Sequence, residues 1–435
     1  MFKHTSIEDL YALFLEAGQK ICTDTRKITE GAIFFALKGP NFNANQLAAQ
    51  ALAAGCSYAV IDEEAFVSNH KTILVADVLT ALQQLAAFHR QQFKFPVLAI
   101  TGSNAKTTHK ELINAVLSKK YAVLFTRGNL NNHIGVPLTL LSITKQHNFA
   151  IIEMGANHVG EIATLCDIAQ PDYGLITNIG KAHLEGFGGI EGVKKGKSEL
   201  YKFLNSGNGT AFINGDDPTL VELARNIKTI TYGEKEHNSF RAVNTSGEGK
   251  VSFSYRSNKG EGEHVVKTQM VGTYNFINCV AAACVGSYFG VPDQDIVAAL
   301  QNYLPDMNRS QLVTTEKNEL ILDAYNANPN SMKAAIENFV YYPAQKKMLL
   351  LGDMFELGDY SAAEHTAIVD LLKDKKMDEA LLIGKEFTKA AGAEFRTFGT
   401  TKECSDYLQR MAPTGYTILI KGSRGMKMEV LQDVL

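Results

Sequence analysis

Apolar positions in the first 94 residues recur at two spacings. In SIEDLYALFLEAG, NQLAAQALAAG and VLTALQQLAAFHRQQF they return every three or four residues, the period of a helix with one buried face. Between them stand the short apolar runs AIFFAL, YAVID and TILVA, which read as strands. After KFPVLAITGS, where Pro96 marks a new start, the rhythm becomes strand then helix: PVLAIT, a helix from Lys106, NFAIIEM, the helix GEIATLCDIA, YGLITNIG, the helix GVKKGKSELYKFL, and GTAFIN. Strands alternating with helices at this spacing predict a mostly parallel, doubly wound sheet.

The pattern changes between residues 238 and 273. SFRAV, KVSFSYRS and EHVVKTQMVG, parted by Gly, Asn and Ser, predict antiparallel hairpins added to that sheet. The helix pair NFINCVAAACVGSYFG and PDQDIVAALQNYL follows. After Arg309 a third set begins: LILDAY, the helix SMKAAIENFV, KKMLLLGD, the helix SAAEHTAIVDLLKD, EALLIG, FRTFG, the helix KECSDYLQRM and YTILIKG. The fold class expected is α/β in three domains: a small N-terminal α/β domain over 1–94, a central doubly wound, mostly parallel phosphate-loop sheet over 95–310, and a Rossmann-like C-terminal domain over 311–435. No internal repeat or low-complexity segment interrupts them.

Composition narrows the function classes. The 435 residues suffice for two to four domains at ~100–200 residues each. With 43 basic against 46 acidic residues and a net charge of −3, nothing favours nucleic acid or an anionic membrane as partner. Six scattered cysteines (Cys22, Cys56, Cys166, Cys279, Cys284, Cys404) form no C-x-x-C pair and no zinc spacing, which suits a reduced, cytoplasmic setting. The N-terminus is too acidic and too interrupted for a signal peptide, and no run of ~18 apolar residues exists to anchor the chain in a bilayer.

Candidate chemistry lies at strand ends. AITGSNAKTTHKE has the layout of a phosphate loop, in which backbone N–H groups at a helix N-terminus cradle anions. Gly102 supplies the turn, Ser103, Asn104 and Ala105 the loop, Lys106 the charge for outer phosphates, and Thr107 and Thr108 hydroxyls for a metal. Ala105 stands where a glycine is usual; if that position needs a positive φ, alanine costs about 1 kcal/mol there. A strand–turn–helix with Gly-Ser-Asn makes the same tight turn without any nucleotide, so the loop alone leaves both readings open. Glu153 ends the next strand, on the side of a parallel sheet where ligands bind, and could hold Mg²⁺ or merely cap the helix near Gly160. The strand after that leads to Asn178, Lys181 and His183, then to Lys194, Lys195 and Lys197. Asp323, Asn326 and Asn328 follow the strand LILDAY, with Ser331 read as the helix N-cap.

TGSNAKTTHKE, TRGNLNNHIGVPLTLL, IIEMGANHVGEI, LITNIGKAHLEGFGGIEGVKKGKSELY, INGDDP, GTYNFINCVAAA, LDAYNANPNSM, LGDMFELG and KGSRGMKME together resemble the Mur ligases, the ATP-dependent enzymes that build the peptide stem of bacterial peptidoglycan. GNLNNHIGVPLTLL and DAYNANPNSM match the branch that adds D-alanyl-D-alanine. The first unit matches more thinly, through CTDTRKITEGAIFFALKGPNFNAN. The resemblance implies an ATP-dependent ligase that joins D-alanyl-D-alanine to UDP-N-acetylmuramoyl-tripeptide through an acyl phosphate, working as a cytoplasmic monomer. It implies that Lys106 grips the phosphates, that Thr107 and Glu153 hold one Mg²⁺, that His183 holds a second, and that Lys197 is carbamylated by CO₂. It further implies Asn278 at the adenine, Arg309 and Asp323 at the γ-phosphate and ribose, Tyr325, Asn326 and Asn328 near the reacting groups, and Thr25, Arg26 and Asn45 near the uridine nucleotide. Two residues depart from the family pattern: Ala105, and His109 where threonine or a similar small residue is common. The alternatives are another Mur-type or folylpolyglutamate-type ligase, which the two branch-matching stretches disfavour, and a Mur-like nucleotide-binding protein without activity, which rests on Ala105.

Overall fold

The computed structural model describes residues 4–247, 249–256, 262–306, 308–375 and 377–435. A four-stranded parallel sheet comes first, in the order Ile21–Cys22, Ile33–Phe35, Tyr58–Ile61, Thr72–Leu74. A nine-stranded sheet follows. Its order from one edge is Glu263–Val271, Lys250–Arg256, Phe240–Asn244, Lys228–Gly233, Thr210–Asn214, Tyr173–Ile176, Val97–Thr101, Phe149–Glu153, Val123–Phe125. Only the pairings among the first three of these strands are antiparallel, so the expected hairpins extend the parallel sheet at one edge. The third sheet has six strands, ordered Gln311–Thr314, Glu319–Asp323, Thr417–Lys421, Lys347–Gly352, Glu379–Ile383, Arg396–Phe398, and only its first pair is antiparallel.

The central sheet is apolar on both faces because helices cover both, which is why VLAIT and FAIIE read as unbroken hydrophobic runs. Val97, Ala99, Ala150 and Ile152 pack with Leu85, Val136, Leu140 and Leu165 on one side. Leu98, Ile100, Phe149 and Ile151 pack with Leu112, Val116, Cys279 and Ala283 on the other. The helix Phe276–Tyr288 is apolar nearly all round, and it lies buried against the helix Lys106–Leu117.

Strand order places the site. From Val97–Thr101 the chain first runs outward to Val123–Phe125 and back to Phe149–Glu153 on one side, then crosses to Tyr173–Ile176 on the other. The carboxyl end of Val97–Thr101 is therefore the switch point of the sheet, where loops diverge and leave a crevice.

Two local readings are corrected. GVKKGKSELYKFL is not one helix but two, Ile190–Lys197 and Glu199–Ser206, parted at Ser198, whose hydroxyl bonds back to the Lys195 carbonyl. The break frees Glu199 to cap a neighbouring helix, as described below. The N-cap of Pro329–Tyr341 is Asn328, not Ser331. Preceding a proline, Asn328 is forced into an extended conformation suited to a cap, and Ser331 is its reciprocal partner: Asn328 Oδ1 accepts from Ser331 N at 3.0 Å and Ser331 Oγ from Asn328 N at 3.1 Å. All six cysteines are buried and unpaired. Among the described residues no helix is long and apolar enough to cross a membrane.

Candidate functional site

The loop after Val97–Thr101 is laced to the loop after Tyr173–Ile176. Gly102 has φ +141°, and a Cβ on it would lie 2.0 Å from Thr177 Oγ1, so only glycine lets the two loops meet. Thr177 Oγ1 then donates to the Asn104 carbonyl at 2.6 Å, the Asn104 N–H donates to Asn178 Oδ1 at 3.1 Å, and Ser103 Oγ donates to the Gly180 carbonyl at 3.0 Å. Ala105 sits at φ +59°, ψ +14°. The left-handed conformation anticipated at this position is there, and alanine bears it at about 1 kcal/mol. Ala105→Gly is expected to change stability by less than about 1 kcal/mol, because strain relief is offset by the greater freedom of the unfolded glycine chain. Its KM for ATP should shift only modestly; urea unfolding and steady-state kinetics read the two effects.

Lys106 is half-buried and folds back on the loop, its Nζ donating to the carbonyls of Gly102 at 2.8 Å and Ser103 at 3.3 Å. Burial lowers its pKa from the ordinary value, against the pull of Glu153. Three residues further on, His109 is buried with Nδ1 2.9 Å from the Ala105 carbonyl, and burial pushes its pKa down to about 4.

Glu153 is only 2% exposed at its strand end. It accepts from Thr107 Oγ1 at 2.9 Å and from Asn131 Nδ2 at 2.7 Å, and Lys110 Nζ lies 4.0 Å away. It caps no helix. The helix Glu161–Ala169 is capped by Glu199, which accepts from the N–H groups of Gly160 at 2.7 Å and Ala163 at 3.0 Å. A buried carboxylate sharing a hydrogen bond with a threonine hydroxyl at a helix start is a hard oxygen donor set that fits Mg²⁺, an ion that characteristically takes one or two protein oxygens and fills its shell from phosphates and water. Among the described residues there is no group of three or more His, Cys, Asp or Glu that could hold a metal ion.

The three lysines of KKGK separate by burial. Lys194 pairs with Glu222 at 3.6 Å and Lys195 is exposed, whereas Lys197 is fully buried, its Nζ donating to the Ala156 carbonyl at 2.9 Å. Burial drives the Lys197 pKa well below the ordinary lysine value, and nearby Lys106 adds to this against Glu161 and Glu199. A neutral amine is the form that reacts with CO₂.

The opposite wall comes from the six-stranded sheet. Asp323 ends its strand in register with Lys421 on the next, and their side chains pair at 2.6 Å. The other Asp323 oxygen accepts from Ser310 N at 3.2 Å. The Arg309 guanidinium stacks on the Tyr325 ring at 3.7 Å, with Arg424 5.3 Å from the same ring. Asn328 reaches across to donate to Asn104 in the phosphate loop, and the Lys181 N–H donates to Asn330 Oδ1 at 2.8 Å. His183, at φ +53°, places Nδ1 2.5 Å from Glu356 Oε2; that imidazole holds the Glu356 carboxyl below the usual carboxylate range.

These two walls enclose a cleft of about 890 Å³. It is lined by residues 103–108, Glu153, His183, Asn278, Arg309, Asp323, Tyr325, Asn326 and Asn328 among the positions singled out in the sequence. Asn278 is buried there, its amide donating to Asn275 Oδ1 at 2.7 Å. Gly102 lies beneath the loop and Lys197 behind the wall. Thr25, Arg26 and Asn45 are elsewhere, on the first sheet. Thr25 opens a short helix whose cap, Asp24, pairs with the exposed Arg26 at 2.8 Å. Asn45 is fully buried and is not free to donate to a ligand: both amide hydrogens are used, on Asn43 Oδ1 at 2.9 Å and Asp62 Oδ1 at 2.8 Å. Asn131, Lys110, Glu356 and Lys421 were not singled out. Each lies in a stretch quoted above, but the site residue it approaches (Glu153 for Asn131 and Lys110, His183 for Glu356, Asp323 for Lys421) is distant in sequence.

The description "Mur ligase middle domain" matches residues 100–286, and "Mur ligase, glutamate ligase domain" matches 308–424. The UDP-N-acetylmuramoyl-tripeptide--D-alanyl-D-alanine ligase of Bacillus subtilis is 38% identical over 95% of this chain and 93% of its own length; that of Escherichia coli is 36% identical over 94% and 92%. The crystal structure of MurF from Acinetobacter baumannii superposes with a TM-score of 0.87 at 33% identity, covering 97% of both chains. That of MurF from Thermotoga maritima in complex with ADP gives 0.85 at 26% identity, over 96% of this chain and 97% of its own. The chain, matched along nearly its whole length and carrying the phosphate loop at the switch point of its central sheet, belongs to the Mur ligase family.

Proposed function

We propose that this chain joins D-alanyl-D-alanine to UDP-N-acetylmuramoyl-tripeptide with cleavage of ATP to ADP and phosphate, in the cytoplasmic stage of peptidoglycan precursor synthesis. The observation that carries the reading is the single cleft in which Lys106, Thr107 and Glu153 of one sheet face Arg309 and Asp323 of another. The substrates are those named for relatives aligned along more than nine-tenths of the chain.

In the first step a carboxylate oxygen of the tripeptide attacks the γ-phosphorus of ATP; the bond to the β–γ bridging oxygen breaks and ADP leaves. In the second the dipeptide amine attacks the acyl carbon, the bond to the phosphate oxygen breaks, the nitrogen loses its proton and phosphate departs. Negative charge gathers on phosphoryl oxygens throughout, and Lys106 and Arg309, which both line the cleft, would offset it. Thr107 and Glu153 would hold Mg²⁺, which supplies further neutralisation of phosphate charge. His183, whose Nδ1 lies against the Glu356 carboxylate, would offer Nε2 to a second ion, and Lys197 as a carbamate would present an anion on the same side. Asn278 is assigned to the adenine, Asp323 to the ribose, Tyr325, Asn326 and Asn328 to the reacting groups, and Thr25 and Arg26 to the uridine nucleotide. The domain boundaries are assigned to 94/95 and 310/311, and the working form to a monomer. Contacts across the cleft exclude water from a hydrolysable acyl phosphate once substrates are in place.

Phosphate release from ATP, measured with UDP-N-acetylmuramoyl-tripeptide with and without D-alanyl-D-alanine, tests this. Release is expected only with the dipeptide. Release supported instead by glutamate and a folate, or none with any dipeptide or amino acid, would overturn it.

A further inference from the structure

The two residues at which the phosphate loop departs from its family pattern touch each other. The Ala105 carbonyl is the first acceptor of the helix Lys106–Leu117, and it receives two hydrogen bonds from one residue: the His109 N–H at 2.9 Å and the His109 ring Nδ1 at 2.9 Å. A carbonyl only accepts, so Nδ1 carries the proton, and Nε2 is left buried without a hydrogen-bond partner. The preceding peptide is pinned independently, because Thr177 Oγ1 donates to the Asn104 carbonyl at 2.6 Å and Asn178 Nδ2 to the same oxygen at 3.3 Å. The φ of residue 105 is set by the first peptide plane and its ψ by the second. Fastening both planes confines residue 105 to the left-handed region, which alanine otherwise avoids and glycine enters freely.

We propose that His109 is a positioning residue for nucleotide binding: its ring N–H holds the Ala105–Lys106 peptide plane so that a loop with alanine at 105 keeps the anion-cradling shape. The ligand is the polyphosphate of a nucleoside triphosphate, and the inference rests on the loop being the ATP site of the proposed function. Nδ1 is thus the ring atom through which His109 acts on the loop.

An isosteric pair isolates the bond. A threonine in a helix can donate its hydroxyl to the carbonyl four residues back, and a valine of the same shape cannot. His109→Thr and His109→Val are made in the natural chain and in Ala105→Gly, and Kd for ADP with Mg²⁺ is measured by calorimetry beside KM for ATP and kcat. In the natural chain the valine variant should bind nucleotide about three- to ten-fold more weakly than the threonine variant, the worth of one hydrogen bond. The KM for UDP-N-acetylmuramoyl-tripeptide should be the same in both. With glycine at 105 the difference should shrink to less than about two-fold, since the conformation then needs no fastening. A merely structural role for His109 would leave the valine–threonine difference equal in both backgrounds, and that result, or no difference in the natural chain, overturns the inference. If the natural chain binds no nucleotide, the reading of the site fails instead. Should the small variants not fold, His109→Gln against His109→Met poses the same comparison at larger volume.

Discussion

Lys197→Ala is expected to lower ligation by about 10²–10³-fold or more, the scale of losing one fixed charge partner at a phosphoryl-transfer site, while UDP-N-acetylmuramoyl-tripeptide still binds. The reason is placement. Of the three lysines in the segment, Lys197 alone is fully buried, held on the Ala156 carbonyl just beyond the Glu153 strand end, its pKa driven well below the ordinary lysine value by burial and by Lys106. Removing it takes away both the amine that CO₂ would modify and the anion that would result. Calorimetry with the UDP-substrate reports whether the first sheet is intact, and phosphate release reports the chemistry. Undiminished release would move the role to Lys194 or Lys195.

The second large effect is at Gly102. An alanine there would bring its Cβ to 2.0 Å from Thr177 Oγ1 and 3.0 Å from Thr177 N, on a backbone at φ +141°. The loop must move by an ångström or more, and misplacement on that scale costs on the order of 10²-fold in rate. Turnover of ATP in Gly102→Ala is therefore expected to fall by about that factor with a raised KM for ATP. Adding Thr177→Ala removes the closer contact but leaves the backbone N and the φ, so it should restore only part. An unchanged KM in Gly102→Ala would show that the loop does not need Thr177 against it.

The strand–helix rhythm was readable because a parallel sheet covered on both faces leaves unbroken apolar strands such as VLAIT and FAIIE. For the same reason polar residues that follow such runs, Glu153 or Asp323, stand out as strand-end positions. The short edge strands Val123–Phe125 and Gln311–Thr314, and the partly exposed interior strand Lys228–Gly233, lack that contrast. What the sequence hides is pairing across distance. Asn131 matters through Glu153, Lys421 through Asp323 and Glu356 through His183, and none of these pairs shares a local pattern. The break at Ser198 was equally hidden, because the contact that goes with it, Glu199 capping a helix that begins almost 40 residues earlier, is not local. Among the KKGK lysines the family resemblance already pointed to Lys197, and burial, a property of the folded neighbourhood, sets it physically apart from Lys194 and Lys195.

The cleft built from two sheets also has a history in time. Lys106 leaves the ribosome 217 residues ahead of Asp323, which at 5–20 residues per second is a delay of roughly 10–40 s. A nascent chain that has finished its central sheet possesses a phosphate loop but neither Arg309 nor the Lys421–Asp323 pair, and Asn104 has no Asn328 to meet. The phosphate loop is thus synthesised well before the residues that form the facing wall of its cleft.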